Sequence, residues 1–239
     1  ESILNQTMTD FEFVLVDDCS KDRTWEIITE YASRDNRIVP LRNEKNLGVV
    51  GGLNRGLESA RGEYIARQDG DDISLPERFA RQVDFLDRNP DYGLVGSKVI
   101  YIDPDDQPLN VPNPFTLTRN DEIQEKLLDN NFLCGPAVMI RRVSLEKAGF
   151  WFAAGSDASE DYDLHLRLAE VCKVAAIEEP LFLYRQHPQS ATNTQEYKQV
   201  VHKAAALERA LERRWGELAP SEHRLTVARD YLWAAVLAF

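Results

Sequence analysis

Short apolar runs alternate with amphipathic stretches along the first hundred residues, and most runs end on acids or glycines. The run from Phe11 to Asp18, rich in β-branched and aromatic residues, predicts a strand, with Ser20 or Asp22 as N-cap of the helix behind it. In that helix Trp25, Ile28, Tyr31 and Ala32 share a face. A strand over 37–43 follows, then a helix over 46–62 with Leu53 and Leu57 four apart and Gly62 closing it, then a strand over 63–69. Pro76 opens a helix striped by Phe79, Val83 and Leu86, and 93–103 forms a further strand. Such alternation predicts right-handed parallel crossovers in an α/β sheet. Ligands of open α/β sheets bind at the carboxyl ends of the strands, so Asp17 and Asp18 from one strand and Asp69 and Asp71 from another are expected in one cleft.

Beyond Asp103 the pattern loosens into a connection rich in Pro, Asn and Asp, and the boundary between two halves falls there. A helix near 120–130, a strand over 135–142, a helix over 160–172 with Leu164, Leu168 and Val171 in register, and a strand over 175–186 complete the second half. From 195 onward the chain reads as helical. Lys198, Lys203, Arg209, Arg213 and Arg214 lie among Ala and Leu there, as a solvated face or, as the weaker alternative, a membrane-surface contact.

Composition narrows the function. A 239-residue chain with 43% hydrophobic residues can bury a sizeable core. Its net charge of −12 excludes a phosphate-backbone binder, so no nucleic-acid partner is expected. Cys19, Cys134 and Cys172 are too widely spaced for a metal knuckle or a disulfide framework, which indicates a reducing compartment and small buried hydrophobes. No apolar stretch reaches the eighteen or so residues of a spanning helix. The chain starts without Met and stops within an apolar run, and it reads as a piece of a longer protein.

The stretch YIARQDGDDISLP (64–76) crowds Asp69, Asp71 and Asp72 at a strand end. Such acids are comfortable when fully hydrated or around a cation. On extended backbone Asp69 and Asp71 would project to one side, and so few hard oxygen ligands favour Mg²⁺ or Mn²⁺ completed by a diphosphate. An EF-hand loop is excluded, because Ser74 and Ala80 stand where it needs Gly and Glu. A solvated acidic turn is the alternative. Gly48, Gly51 and Gly52 match neither a P-loop nor the dinucleotide spacing, and read as close helix packing.

Three stretches, VLVDDCSKDRT (14–24), the run from Asn43 to Phe79, and SEDYDLHLRLA (159–169), stand in the order and spacing of glycosyltransferase family two, which the chain resembles over roughly residues 3–192. The resemblance implies an inverting enzyme of GT-A fold, Rossmann-like with a mostly parallel sheet, followed by a C-terminal helical extension. It also implies a strand and a Tyr- or Asn-bearing turn ahead of position 1. On this reading 1–103 binds the nucleotide sugar, 104–194 binds the acceptor and carries the base, and 195–239 is helical. Asp18 resembles the acid that accepts a hydrogen bond from the base, with Asp17 beside it, which suits the imide N–H of uracil or thymine; a helix-capping role is the alternative. Asp71 matches the metal-binding position, Asp69 opens that motif and Asp72 closes it. Asp161 matches the general base, in the first turn of a helix whose dipole favours its ionised form, with Glu160 and Asp163 as rivals. His187 and Arg185 in YRQHPQS resemble an element near the diphosphate, His187 as metal ligand or donor to the leaving phosphate.

The implied function is transfer of a sugar from a UDP or dTDP donor, with Mn²⁺ or Mg²⁺, to a hydroxyl of a glycan or lipid-linked acceptor in bacterial polysaccharide or cell-envelope synthesis. It would take place in the cytoplasm or at the inner face of the membrane. A sugar-phosphate nucleotidyltransferase and a non-catalytic nucleotide-sugar or glycan-binding module stay open as alternatives.

Overall fold

The computed structural model describes residues 1–156, 158–190 and 194–237, and builds them as strands alternating with helices. β1 (Phe13–Asp17), α1 (Thr24–Arg34), β2 (Ile38–Arg42) and α2 (Gly48–Ser59) come first, with β1 and β2 paired in parallel from Phe13 opposite Ile38 to Asp17 opposite Arg42. A second sheet contains β3 (Tyr64–Ala66), β4 (Ile73–Ser74), β5 (Tyr92–Ile102), β6 (Met139–Arg141) and β7 (Lys173–Arg185), in the order β3, β6, β5, β7, β4. The two longest ladders, β1 with β2 and β5 with β7, are parallel. The sheet is nevertheless mixed, because β6 runs antiparallel between β3 and β5 and the two-residue β4 runs antiparallel along β7. A strand as short as β4 has no periodicity to read.

The helices α3 (Arg78–Arg88), α4 (Asn120–Lys126), α5 (Arg142–Lys147), α6 (Glu160–Val171), α7 (Glu196–Trp215) and α8 (Ser221–Leu237) follow, and of these α5 stands outside the sequence expectations. One cluster of buried side chains joins Leu94 of β5, Leu127 after α4, Leu164 and Leu168 of α6 and Leu207 of α7 to Val50 and Leu57 of α2. Several local expectations are corrected. The N-cap of α1 is Arg23, without a side-chain cap hydrogen bond, so neither Ser20 nor Asp22 holds that position, although Asp22 accepts the Thr24 N–H at 3.0 Å. The helix over 48–59 closes at Ala60, not Gly62, because the Arg61 N–H is taken by Glu12 Oε1. Val171 is exposed. The basic residues of α7 dock the helix: Arg209 pairs with buried Asp163, Arg213 and Arg214 with Glu170, and Lys203 with Asp230 of α8. All three cysteines are free, and only Cys134 is buried.

Between the two sheets lies an apolar slot of about 820 Å³, bordered by Phe13, Val14 and Val16 of β1 and by Tyr64, Ile65 and Ala66 of β3. Among the described residues β1 has a ladder partner only in β2, and β3 only in β6, so each keeps an unpaired edge. The slot's polar end reaches Arg67, Gln68, Asp161 and His165.

Arg78, fully buried at the start of α3, is the polar centre beneath that end. All five of its guanidinium N–H groups are used. Nε donates to Gln82 Oε1, Nη1 to Gln68 Oε1 and Ser74 Oγ, and Nη2 to the carbonyls of Arg67 at 2.8 Å and Val138 at 3.1 Å. The Phe182 ring lies 4.9 Å from its central carbon. Burial pulls its pKa down to about 10, so it stays charged at neutral pH.

Arg78→Met should remove five hydrogen bonds and take the guanidinium donor from the buried Arg67 carbonyl, Ser74 Oγ and Gln82 Oε1, at a cost of about 3 kcal/mol or more. The expected result is a Tm lower by roughly 6 to 12 °C, with Arg78→Lys a poor substitute because an ammonium cannot span the same acceptors. A second outcome concerns acid. His165 of α6 is 1% exposed, and burial, helped by the Arg67 charge, pushes its pKa down to about 3. The unfolded chain therefore binds the extra proton first, so the stability this ring contributes is full above pH 6.5 and is lost as pH falls towards 3. His165→Gln should show a shallower fall in urea midpoint between pH 7 and 4 than the parent.

Candidate active site

Five elements deliver the site. β3 ends at Ala66 and the chain turns at Gly70 and Asp71, with the Asp72 N–H directed to the Asp69 carbonyl at 3.4 Å. The extended backbone expected over 69–71 is therefore absent, and the two carboxylates part company. Asp69 accepts from Arg67 Nε at 3.0 Å and from Nη2 at 3.2 Å. Asp71 Oδ2 lies 3.2 Å from His187 Nε2. This second contact follows from the pairing of β4 with β7: Ile73 opposite Leu183 brings the end of β7 alongside the loop, and the Arg185 N–H donates to Asp72 Oδ1 at 2.8 Å.

Burial, reinforced by the charges of Asp69 and Asp71, pushes Asp72 up to about 8. It is largely protonated at neutral pH. Arg185, expected near a diphosphate, is a loop tie. Its Nε donates to the Asp71 carbonyl at 2.6 Å, Nη1 to the Asp103 carbonyl at 2.7 Å and Nη2 to Asp106 at 2.5 Å.

On the other side of the loop, Arg67 Nη1 donates to Glu160 Oε1 at 2.9 Å. Arg67 thus bridges the acidic loop to the first turn of α6, where Glu160, Asp161 and Asp163 follow the N-cap Ser159. These three acids have different fates. Glu160 is buried against Arg67. Asp163 is buried between Arg167 at 3.0 Å and Arg209 at 2.8 Å, which removes it from the cleft. Asp161 alone is half-buried, with Oδ1 accepting the Tyr162 N–H at 2.7 Å and Oδ2 accepting from Asn131 Nδ2 at 3.0 Å. Burial raises its pKa, with the Arg67 charge working the other way. A carboxylate so placed is a stronger base than a solvated one. Gly135 is needed beside it, because a Cβ there would stand 2.6 Å from Asp161 Oδ2.

Asp17 and Asp18 have a use of their own. Buried Asp17 accepts the Ser20 N–H and lies 3.1 Å from Arg42 Nε. Asp18 Oδ1 accepts from Asn43 Nδ2 and the Leu47 N–H, and Oδ2 from the N–H groups of Leu47 and Gly48. Three donors thus meet its two oxygens, with the Leu47 N–H shared between them, and lone-pair capacity remains beside these contacts. Arg67, Gln68, Arg78, Asn131 and His165 are structural members of the site that the motifs did not mark. Arg67 and Arg78 read as ordinary exposed arginines, and Asn131 lies in a loop without pattern.

As for a metal, the described residues hold no group of three or more His, Cys, Asp or Glu side chains arranged around one point. Asp71 and His187 supply one carboxylate oxygen and one imidazole nitrogen, a donor pair that fits Mn²⁺ or Mg²⁺ only with further oxygens from a ligand. Asp69, expected as a third ligand, is held by Arg67.

This architecture has known counterparts. Residues 1–149 match the model of the family described as Glycosyl transferase family 2. The uncharacterized glycosyltransferase MJ1057 of Methanocaldococcus jannaschii is 36% identical over 187 residues, covering 77% of this chain and 63% of that protein. The uncharacterized glycosyltransferase EpsJ of Bacillus subtilis is 32% identical over 200 residues, covering 80% and 57%. The chain thus spans about half to two thirds of the length of these relatives. Among solved structures, S. aureus TarS in complex with UDP superposes with a TM-score of 0.65 at 22% identity, over 86% of this chain and 59% of that one. The mannosyltransferase PcManGT of Pyrobaculum calidifontis, in complex with GDP-Man and Mn²⁺, superposes with a TM-score of 0.63 at 18% identity, over 98% and 69%. The chain therefore belongs to glycosyl transferase family 2 and has the GT-A fold.

Proposed function

We propose that this chain is the catalytic part of an inverting glycosyltransferase that moves a sugar from a nucleoside diphosphate donor, UDP or dTDP, to a hydroxyl of a glycan or lipid-linked acceptor. The observation that carries the reading is the half-buried Asp161 carboxylate, joined through Arg67 and Glu160 to an acidic loop whose other face carries Asp71 beside His187. TarS with UDP and PcManGT with GDP-Man and Mn²⁺ support a nucleotide-linked donor. Family membership leaves the nucleotidyltransferase reading without support.

Asp161 takes the proton of the acceptor hydroxyl as that oxygen attacks the anomeric carbon. The new C–O bond forms on the face opposite the breaking bond to the diphosphate, which leaves with the electron pair. Arg67 keeps Asp69 and Glu160 paired, so that the loop and the base share one rigid frame. Asp71 and His187 would hold Mn²⁺ or Mg²⁺, which when bound supplies positive charge for the diphosphate. Asp17 and Asp18 act on the nucleotide end by shaping the 43–48 loop, with Asp18 holding the Leu47 and Gly48 N–H groups. Among the described residues no helix is long and apolar enough to cross a membrane, and the three free cysteines agree with a cytoplasmic site of action.

Two measurements test this reading. Calorimetric titration with UDP should show binding that depends on Mn²⁺ and is lost in Asp71→Ala; equal affinity with and without the ion would sink the metal assignment. Asp161→Asn should keep UDP binding and lower transfer by roughly 10² to 10⁴, while Glu160→Gln and Asp163→Asn, if they fold, keep most activity. Normal transfer by Asp161→Asn would refute the base. A parent silent with every donor and acceptor tried would point to a binding module.

A further inference from the structure

The loop between α4 and β6 places one amide where the mechanism above gives it no part. Asn131 Nδ2 donates to Asp161 Oδ2 at 3.0 Å. Its Oδ1 accepts the Leu133 N–H at 3.2 Å and lies 3.1 Å from His165 Nδ1. The direction of this chain is fixed by chemistry. An ionised carboxylate only accepts, so the NH₂ of Asn131 must face Asp161 and its carbonyl must face His165. His165 then carries its proton on Nδ1.

The ring is 1% exposed, and at neutral pH it is an uncharged donor. A flipped amide would set its NH₂ against two N–H donors and its carbonyl against the carboxylate, so a single orientation survives. Behind it, Tyr162 Oη is anchored to the Leu127 carbonyl at 2.6 Å, and the Tyr162 N–H holds the other oxygen of Asp161. Each carboxylate oxygen is thereby located by one hydrogen bond and keeps further lone-pair capacity for an incoming hydroxyl.

We propose that Asn131, locked by neutral His165, is a positioning residue that aims Oδ2 of Asp161 at the acceptor hydroxyl. It acts through Asp161 and touches neither sugar nor nucleotide. The proposal rests on the reading of Asp161 as base.

A double-mutant cycle separates the two. Nucleotide release from a panel of UDP-, dTDP- and GDP-sugars in the presence of Mn²⁺ and acceptor would be followed in the full-length parent, Asn131→Ala, Asp161→Asn and the double variant, with UDP binding measured calorimetrically beside it. Asn131→Leu, similar in shape and without polar atoms, serves if the alanine variant does not fold. Loss of one hydrogen bond to a charged group should lower kcat roughly 10- to 100-fold, while donor KM and UDP affinity stay within about threefold. The double variant should be no slower than Asp161→Asn alone, because a residue that acts through the base has nothing left to orient. An unchanged kcat in Asn131→Ala, or losses that multiply in the double variant, would overturn the positioning role while leaving the base in place. Full activity in Asp161→Asn would overturn the base and this proposal with it.

Discussion

A buried guanidinium without a carboxylate partner is the constraint on which the rest of this structure depends. Arg78 keeps its charge in a dry interior because two backbone carbonyls, two amide oxygens and the Ser74 hydroxyl take its five donors. Those acceptors belong to β4, α3, the segment after β3 and the residue just ahead of β6, so satisfying one side chain fixes four stretches of chain against one another. Gln68 and Gln82 extend the frame. Gln68 Nε2 donates to the carbonyls of Asp69 and Asp72, and Gln82 Nε2 to those of Val95 and Ala137. The acidic loop is therefore held from beneath by neutral and positive groups, while Arg67 pairs with Asp69 and burial keeps Asp72 largely protonated. That arrangement lets like charges persist at a strand end.

The same logic explains what was legible in the sequence. Apolar and β-branched runs located β1, β2, β5 and β7, and helical spacing of apolar residues located α2, α3 and α6. These patterns missed β4, which pairs only through Ile73 and Ser74, and gave no hint that β6 would run antiparallel to both neighbours. Motif spacing brought Asp69, Asp71, Asp161 and His187 to notice, and all four stand around the loop after β3 or the start of α6. Their partners were out of reach, because a partner across a fold has no fixed spacing. Arg67 meets Glu160 from 93 positions away, and His187 meets Asp71 from 116.

Residue type also misleads when a group has two competing uses. An acid at a strand end can serve a ligand or a helix N-terminus, and Asp18 spends its oxygens on Asn43, Leu47 and Gly48. The basic run of α7 has the composition of a solvated face, yet Arg209, Arg213 and Arg214 meet Asp163 and Glu170 of α6. The consequence for the site is direct. By occupying Asp163, Arg209 leaves Asp161 as the half-exposed carboxylate of the first turn, so a helix with no motif of its own selects which acid faces the cleft.

The apolar slot and the polar site share a wall, and the shared residues are Arg67, Asp161 and His165. Their electrostatics depend on how dry that wall is. Water in the slot would screen the pairing of Arg67 with Glu160 and lower the cost of ionising Asp161. Apolar side chains packed between β1 and β3 would exclude that water, strengthen the Arg67 pairs and raise the basicity of Asp161 further. The ion pair and the desolvated base thus make the same demand on solvent, because a dry wall strengthens the Arg67 pairs and at the same time destabilises the charge on Asp161. The dryness of the slot between the sheets and the basicity of the carboxylate at its end are therefore set together, which links the ladder edges of β1 and β3 to a proton at Asp161.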